Sequence, residues 1–226
     1  MSMDISGIDY LGLDRVLRRG TGEILTERDD ALLIRDRVSG ACFLACEDPA
    51  IGIPLLDRIL PRECDLLMAS NDIIGYSAFE RYSFAGKLEC FQAAYYGEKP
   101  SDIAGLTFRT AEEPDLPILL EHYRLISPEE LEKVVRRRSV LLGYEEDRLV
   151  GFIGEHLEGS MGLLYVFPEF RHRGSGAALQ RRLIARTMEA GYIPFGQVAK
   201  DNYASMCLQK KLGMTVSDHL ILWMWK

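Results

Sequence analysis

The chain has 226 residues, 47% of them hydrophobic and 27% charged, a balance that excludes a disordered or fibrous polymer and indicates a globular protein. Against 27 Lys and Arg stand 34 Asp and Glu, a net charge of −7 that repels a phosphate backbone and argues against general nucleic-acid binding. The cysteines, Cys42, Cys46, Cys64, Cys90 and Cys207, are odd in number and offer neither a C-x-x-C pair nor a zinc spacing, so reduced thiols and no metal are expected.

The start, Met1 to Gly7, lacks a basic region followed by an apolar one, and no stretch approaches the ~20 apolar residues of a membrane span. A cytoplasmic protein without membrane or nucleic-acid partners, monomeric or homodimeric, is the expectation. The length suits one domain with a smaller companion.

Tyr10 to Arg19 reads as an amphipathic helix ended by Gly20 and Gly22, and residues 31–46 as two strands turning near Ser39 and Gly40. A helix over about 51–60, a strand over 65–69, a helix over 72–82 and a strand over 87–95 complete an α/β unit without a catalytic motif. The polar run from Tyr95 to Asp102 breaks the pattern, placing a boundary near Pro100 and dividing the chain into 1–100 and 101–226.

Beyond it, Leu106 to Thr110 alternates as a strand and Glu113 to Arg124 reads as a helix. Ser127-Pro-Glu-Glu supplies a cap, a first-turn proline and first-turn acids for a second helix to about Arg138. Three strand-like runs, 139–144, 148–156 and 161–167, joined by short polar turns, predict an antiparallel meander. Then follow a glycine turn, a helix with Leu179, Leu183, Ile184 and Met188 on one face, a strand over 195–199, a helix over 202–212 and a final strand over 220–225.

The glycine turn carries the chemistry. At the start of a helix, backbone N–H groups without intrahelical partners and the helix dipole both favour an anion. In Arg171-His172-Arg173-Gly174-Ser175-Gly176-Ala177 the glycines let the backbone approach a phosphate and the arginines add charge, which predicts a pyrophosphate ligand. A dinucleotide fingerprint would need glycine where Leu179 stands, and the Gly-Lys-Ser/Thr of a Walker loop is absent.

Arg171-x-x-Gly174-x-Gly176, after the strand-like Leu163-Leu-Tyr-Val-Phe-Pro, resembles the acyl-CoA-binding motif of the GNAT superfamily of N-acyltransferases. Asn202-Tyr-Ala-Ser-Met-Cys-Leu-Gln-Lys-Lys-Leu-Gly-Met is similar to that superfamily's second cofactor segment. The resemblance covers about 101–226. It implies a mixed α/β (α+β) fold, with a mostly antiparallel sheet flanked by helices and splayed between the strands at Leu163–Val166 and Phe195–Ala199, where pantetheine would sit.

The stretch from Gly159 to Arg171, with the motif-free half before it, looks closest to the glycine N-acyltransferase-like branch, which would make residues 1–100 a degenerate α/β companion shaping the acceptor pocket. The resemblance further implies acetyl-CoA or another acyl-CoA as co-substrate, no metal, and a small-molecule amine or amino acid as acceptor. The donor would be bound by backbone N–H groups of Leu164, Tyr165 and Val166, by the turn from Arg171 through His172, Arg173, Gly174, Ser175 and Gly176 to Ala177, and by Asn202.

Two positions depart from the superfamily pattern. Where many relatives place a glutamate base the chain has Ser160, leaving Glu155 and Glu158 nearby as candidates, and where they place a tyrosine acid it has Gln209, with Tyr203 six residues earlier. His156 is read as a hydrogen-bonded structural histidine, residues 133–138 as a solvated basic helix face, and Trp223 and Trp225 as packing residues. A CoA-binding sensor without turnover and a protein N-terminal or lysine acetyltransferase are the alternative functions.

Overall fold

A computed structural model describes residues 3–60, 64–101 and 105–226; Met1, Ser2 and Asp102 of the segments named above lie outside the described residues. The chain divides into two compact units, one formed by residues 1–94, 197–206 and 215–226 and the other by 95–196 and 207–214. The C-terminal strand therefore belongs with the N-terminal half.

The first unit contains α1 (Leu11–Arg18), β1 (Gly22–Glu27), β2 (Ala31–Asp36), β3 (Cys42–Cys46), α2 (Pro49–Ile59), β4 (Leu66–Ala69), α3 (Asp72–Arg81) and β5 (Gly86–Ala94). The last strand of the chain, β11 (Thr215–Trp225), inserts between β4 and β5, giving the order β1-β2-β3-β4-β11-β5 with β3 and β4 parallel and the other neighbouring pairs antiparallel.

Period-two alternation gives this sheet two buried faces. Leu33, Leu44, Leu67, Leu222 and Met224 face α2 and α3, while Ile34, Phe43, Met68, Ile221 and Trp223 face α1. The helix starts follow from local chemistry. Asp48 accepts from the Ala50 N–H and Asn71 from the Ile74 N–H, which pairs one orphan first-turn donor in α2 and in α3.

Two elements differ from the sequence expectation. Gly22 opens β1 instead of only closing a helix; β1 is an edge strand with much of its surface in solvent, so it carries no apolar alternation to announce it. β11 starts at Thr215 rather than near Leu220, because Ser217 to His219 interrupt its register on β5 and hide the strand's first part.

The second unit contains β6 (Thr107–Thr110), α4 (Leu116–His122), α5 (Pro128–Arg136), β7 (Val140–Glu145), β8 (Arg148–Glu155), β9 (Met161–Val166) and α6 (Ser175–Glu189). The meander β6-β7-β8-β9 is antiparallel throughout. β10 (Phe195–Ala199) begins in this unit, where Gly196 pairs in parallel with Met161 of β9, and its residues 197–199 lie with the first unit. A Cβ on Gly196 would fall 2.6 Å from the Met161 carbonyl, so the two backbones meet closely only through glycine.

The mixed, mostly antiparallel sheet flanked by helices is the fold class expected from the sequence. α7 (Tyr203–Lys211) starts in the first unit and, from Cys207, continues in the second. The cysteines are all free thiols, with Cys207 exposed and the others buried.

Candidate active site

The site is built on β8 and β9. Along β8, side chains alternate between opposite sheet faces. Gly151 and Glu155 face α6, with Leu179 against the first and the Thr187 hydroxyl donating to the second at 2.8 Å. Phe152 faces the other way, its ring stacked on Tyr165 and edge-on to Tyr123.

β9 does not match β8 residue for residue. Phe152 pairs with Tyr165 and Gly154 with Gly162, so Leu163 and Leu164 oppose the single Ile153. This is a β-bulge, and Leu163 takes up the extra residue with φ 51°, a left-handed conformation costing a side-chain-bearing residue about 1–2 kcal/mol. The buried Leu163 side chain anchors it, while Leu164, Tyr165 and Val166 remain half-buried. Gly151 has no alternative at its position, because a Cβ there would lie 2.2 Å from the Tyr165 carbonyl oxygen.

From Val166 the chain runs through a short turn (Pro168–Phe170) to the glycine segment that starts α6. Gly174 precedes the helix with φ 89°, and no protein atom lies within 4 Å of the point a Cβ would occupy there, so the approach to its backbone is open. The first helical bond at this end is Ala178 N–H to the Gly174 carbonyl at 3.0 Å, so the N–H groups of Ser175, Gly176 and Ala177 precede the intrahelical ladder. Two contacts hold the turn to β9: Ser175 Oγ donates to the Phe170 carbonyl at 2.9 Å, and Arg171 Nε donates to the Val166 carbonyl at 2.9 Å. Arg171, His172, Arg173 and Gly174 are exposed. An uncrowded run of backbone donors, flanked by guanidinium groups at the start of a fifteen-residue helix, fits a diphosphate.

On the face of β8 and β9 opposite α6, a polar group gathers below the aromatic stack. Glu130 stands in the first turn of α5, whose start is capped by Ser127 Oγ accepting from the Glu130 N–H at 3.1 Å. Its carboxylate lies 3.8 Å from His156 Nδ1, an ion-pair distance. The imidazole of His156 covers Gly162, where a Cβ would be 2.3 Å from Nε2. Glu158 is buried and accepts from the Ser160 hydroxyl.

Electrostatics couple these groups. Burial pushes the His156 imidazole down, but the Glu130 and Glu158 carboxylates outweigh it and hold the ring above its usual range. Burial also pushes the Tyr123 hydroxyl up to about 12, opposed by the Leu163 backbone N–H that donates to it, with Glu130 and Glu158 adding to the rise.

The sequence candidates are thus distributed unevenly. Leu164–Val166 and Arg171–Ala177 lie together on one continuous path in the second unit, and Glu158 and Ser160 adjoin the start of β9. Glu155 points to α6. Asn202 and Tyr203 are in the first unit; Asn202 Oδ1 accepts from the Ser205 N–H at 3.0 Å, capping α7, and Tyr203 is 78% exposed. Gln209 is buried in a carboxamide pair with Gln180 of α6.

Glu130 and Tyr123 carry no signal in the sequence, because the Ser-Pro-Glu-Glu pattern already explains Glu130 as a first-turn acid and nothing local marks Tyr123. Among the described residues, no group of three or more His, Cys, Asp or Glu side chains could hold a metal ion, and no helix is long and apolar enough to cross a membrane.

Residues 141–223 match the sequence model of the family described as FR47-like protein. No curated protein matches the chain. Among solved structures, the chain is similar to a Drosophila protein with TM-score 0.71 and 15% identity, over 98% of this chain and 91% of that one. It is also similar to a GCN5-related N-acetyltransferase from Kribbella flavida, with TM-score 0.60 and 12% identity over 99% and 96% of the two chains. A GCN5-related N-acetyltransferase-like protein from Streptococcus suis gives TM-score 0.56 and 15% identity over 95% and 92%. The chain thus shares the fold of these GCN5-related N-acetyltransferases.

Proposed function

We propose that the protein is an acyl-CoA-dependent N-acyltransferase, using acetyl-CoA and acting on the amine of a small molecule or amino acid, nearest in kind to the glycine N-acyltransferase-like branch. The observation that carries this reading is the bulged β9 leading directly into the Arg171–Ala177 turn, with Gly174 left-handed and unobstructed at the start of α6. The turn's N–H groups and arginines would hold the pyrophosphate, and Leu164 to Val166 would line the thioester, whose polarised carbonyl is the chemistry the donor supplies.

The chain's own task is then to seat an amine and remove its proton, since an amine of pKa about 10 is mostly ammonium at neutral pH. We place that task on the α5-facing side of β8 and β9, where Glu158 and Ser160 adjoin the strand that would carry the donor. Glu155, on the opposite face, and Tyr203, exposed at the start of α7, are assigned no step.

A second reading, a CoA-binding sensor without turnover, is favoured by one specific feature. Gln209, at the superfamily's usual tyrosine position, is locked to Gln180 and is not free to donate to a leaving thiolate. Free-thiol release from acetyl-CoA, measured across a panel of amines and amino acids, separates the two. Stimulation by at least one acceptor supports transfer; CoA binding with no stimulation by any acceptor supports the sensor.

A further inference from the structure

The group around His156 is more than packing. The ring stands at the end of β8 on the α5-facing side, with its two nitrogens in different surroundings. Nδ1 is 3.8 Å from the Glu130 carboxylate, and Nε2 lies over Gly162, immediately before the bulge at Leu163. Nε2 packs directly on Gly162, which has no side chain to hold it off β9, and the His156 side chain keeps 22% of its surface open.

We propose that His156 is the proton acceptor for the incoming amine and that Glu130 is the positioning residue that orients it; this rests on the transferase reading above. The acceptor ammonium gives one proton to Nε2 of neutral His156. The freed nitrogen lone pair attacks the thioester carbonyl, the C–N bond forms and the C–S bond breaks with its electron pair going to sulfur. The second nitrogen proton goes to that thiolate, giving free CoA thiol, and His156 returns its proton to solvent. One ammonium and one thioester thus become one amide, one thiol and one released proton.

Glu130, at ion-pair distance from Nδ1, faces that side of the ring and stabilises its charged form. Glu158, the second carboxylate facing the ring, is held by Ser160 and adds field without competing for Nδ1. Tyr123 faces the same two carboxylates and is kept neutral chiefly by burial, with their charges adding to the effect, so it adds no charge to the group. The departure at Ser160 then acquires a use: the serine holds a buried glutamate in place beside the base instead of being one.

The test is the pH profile of acetyl transfer by wild type, His156→Gln and Glu130→Gln, with CoA affinity measured on each. Positioned proton transfer contributes roughly 10²- to 10⁴-fold, so His156→Gln should lose about a hundredfold or more in kcat/KM while keeping its CoA affinity. In wild type the rate falls as pH drops and the ring is protonated. Glu130→Gln removes a carboxylate that holds the ring's pKa up, so that limb should move to lower pH. A purely structural role would leave the limb where it is. Should His156→Gln fail to fold, the limb of Glu130→Gln and of Glu130→Asp, which restores a carboxylate, still decides. An active wild type with both variants unchanged in rate and profile overturns the base assignment and leaves the transferase reading standing; a wild type that binds CoA but transfers to no amine overturns both.

Discussion

Gly174→Val isolates the turn to which the proposal assigns donor binding. At φ 89° glycine is unstrained, whereas a side-chain-bearing residue pays about 1–2 kcal/mol there, and a β-branched one is the least tolerant. No protein atom lies within 4 Å of the added carbon, so the folding cost is that backbone term alone and no steric clash adds to it. The cost to binding is larger. Each N–H bond to a charged phosphate is worth about 1.5–3 kcal/mol, so displacing one lowers CoA affinity roughly ten- to a hundredfold. Calorimetric titration with CoA and urea unfolding of wild type, Gly174→Val and Gly174→Asn make the measurement. Asn, which accepts the left-handed conformation, should recover most of the stability but only part of the affinity, since its side chain still projects where phosphate must come. Equal CoA affinity in all three proteins would refute the placement of the pyrophosphate.

The neighbouring glycines make different predictions. Gly151→Ala drives a carbon into the Tyr165 carbonyl at 2.2 Å and should cost about 3 kcal/mol or prevent folding, while Gly176→Ala, whose nearest contacts are 3.6 and 3.9 Å, should leave the urea midpoint almost unchanged. Gly162→Ala should displace the His156 ring and lower acetyl transfer with little effect on CoA affinity, read by paired kinetics and calorimetry. Gln209→Leu should destabilise by roughly 1–3 kcal/mol, because it strands the buried Gln180 carboxamide. The double variant with Gln180→Leu should recover much of that loss in a double-mutant cycle. Asp36 is buried, which alone would raise its pKa, but Thr21, Ser39 and Arg19 outweigh this and hold it below the ordinary value. Its stabilisation is therefore present above about pH 4 and lost as pH falls through the lowered value, so Asp36→Asn should flatten the acid limb of stability against pH.

Much of the second unit was legible because its signals are local. Short polar turns bound strands of alternating or continuous apolar residues, Ser127-Pro-Glu-Glu announces a helix start, and Gly174 and Gly176 sit between a strand and an amphipathic helix. β1 was invisible because an edge strand needs pairing with β2 more than it needs apolar side chains. The insertion of β11 between β4 and β5 is a long-range pairing, and no local pattern encodes which strands a C-terminal segment will separate.

The same distinction divides the site. Arg171 to Ala177 is one contiguous segment whose donors belong to its own backbone, so a pattern of this kind is readable from sequence alone. The Glu130, His156 and Glu158 group joins a helix, a strand end and a turn, and its chemistry exists only after α5 packs on the meander. Residue type favours Glu155 over His156, since the usual base of the superfamily it resembles is a glutamate, yet the strand's period of two turns these adjacent residues to opposite faces, one to Thr187 and the other to Glu130. The bulge at Leu163 is equally hidden, since its φ reflects the mismatch of two strands and not any residue preference for that conformation.

The most direct measurement follows an isotope-labelled acetyl group from acetyl-CoA in the presence of purified wild-type protein and the amine panel. The label should appear in an amide of at least one acceptor, with free thiol formed in equal amount and both abolished in proportion to CoA affinity by Gly174→Val. Label that stays on the thioester with every acceptor, while CoA remains bound, would contradict the assignment of acyl transfer to this chain.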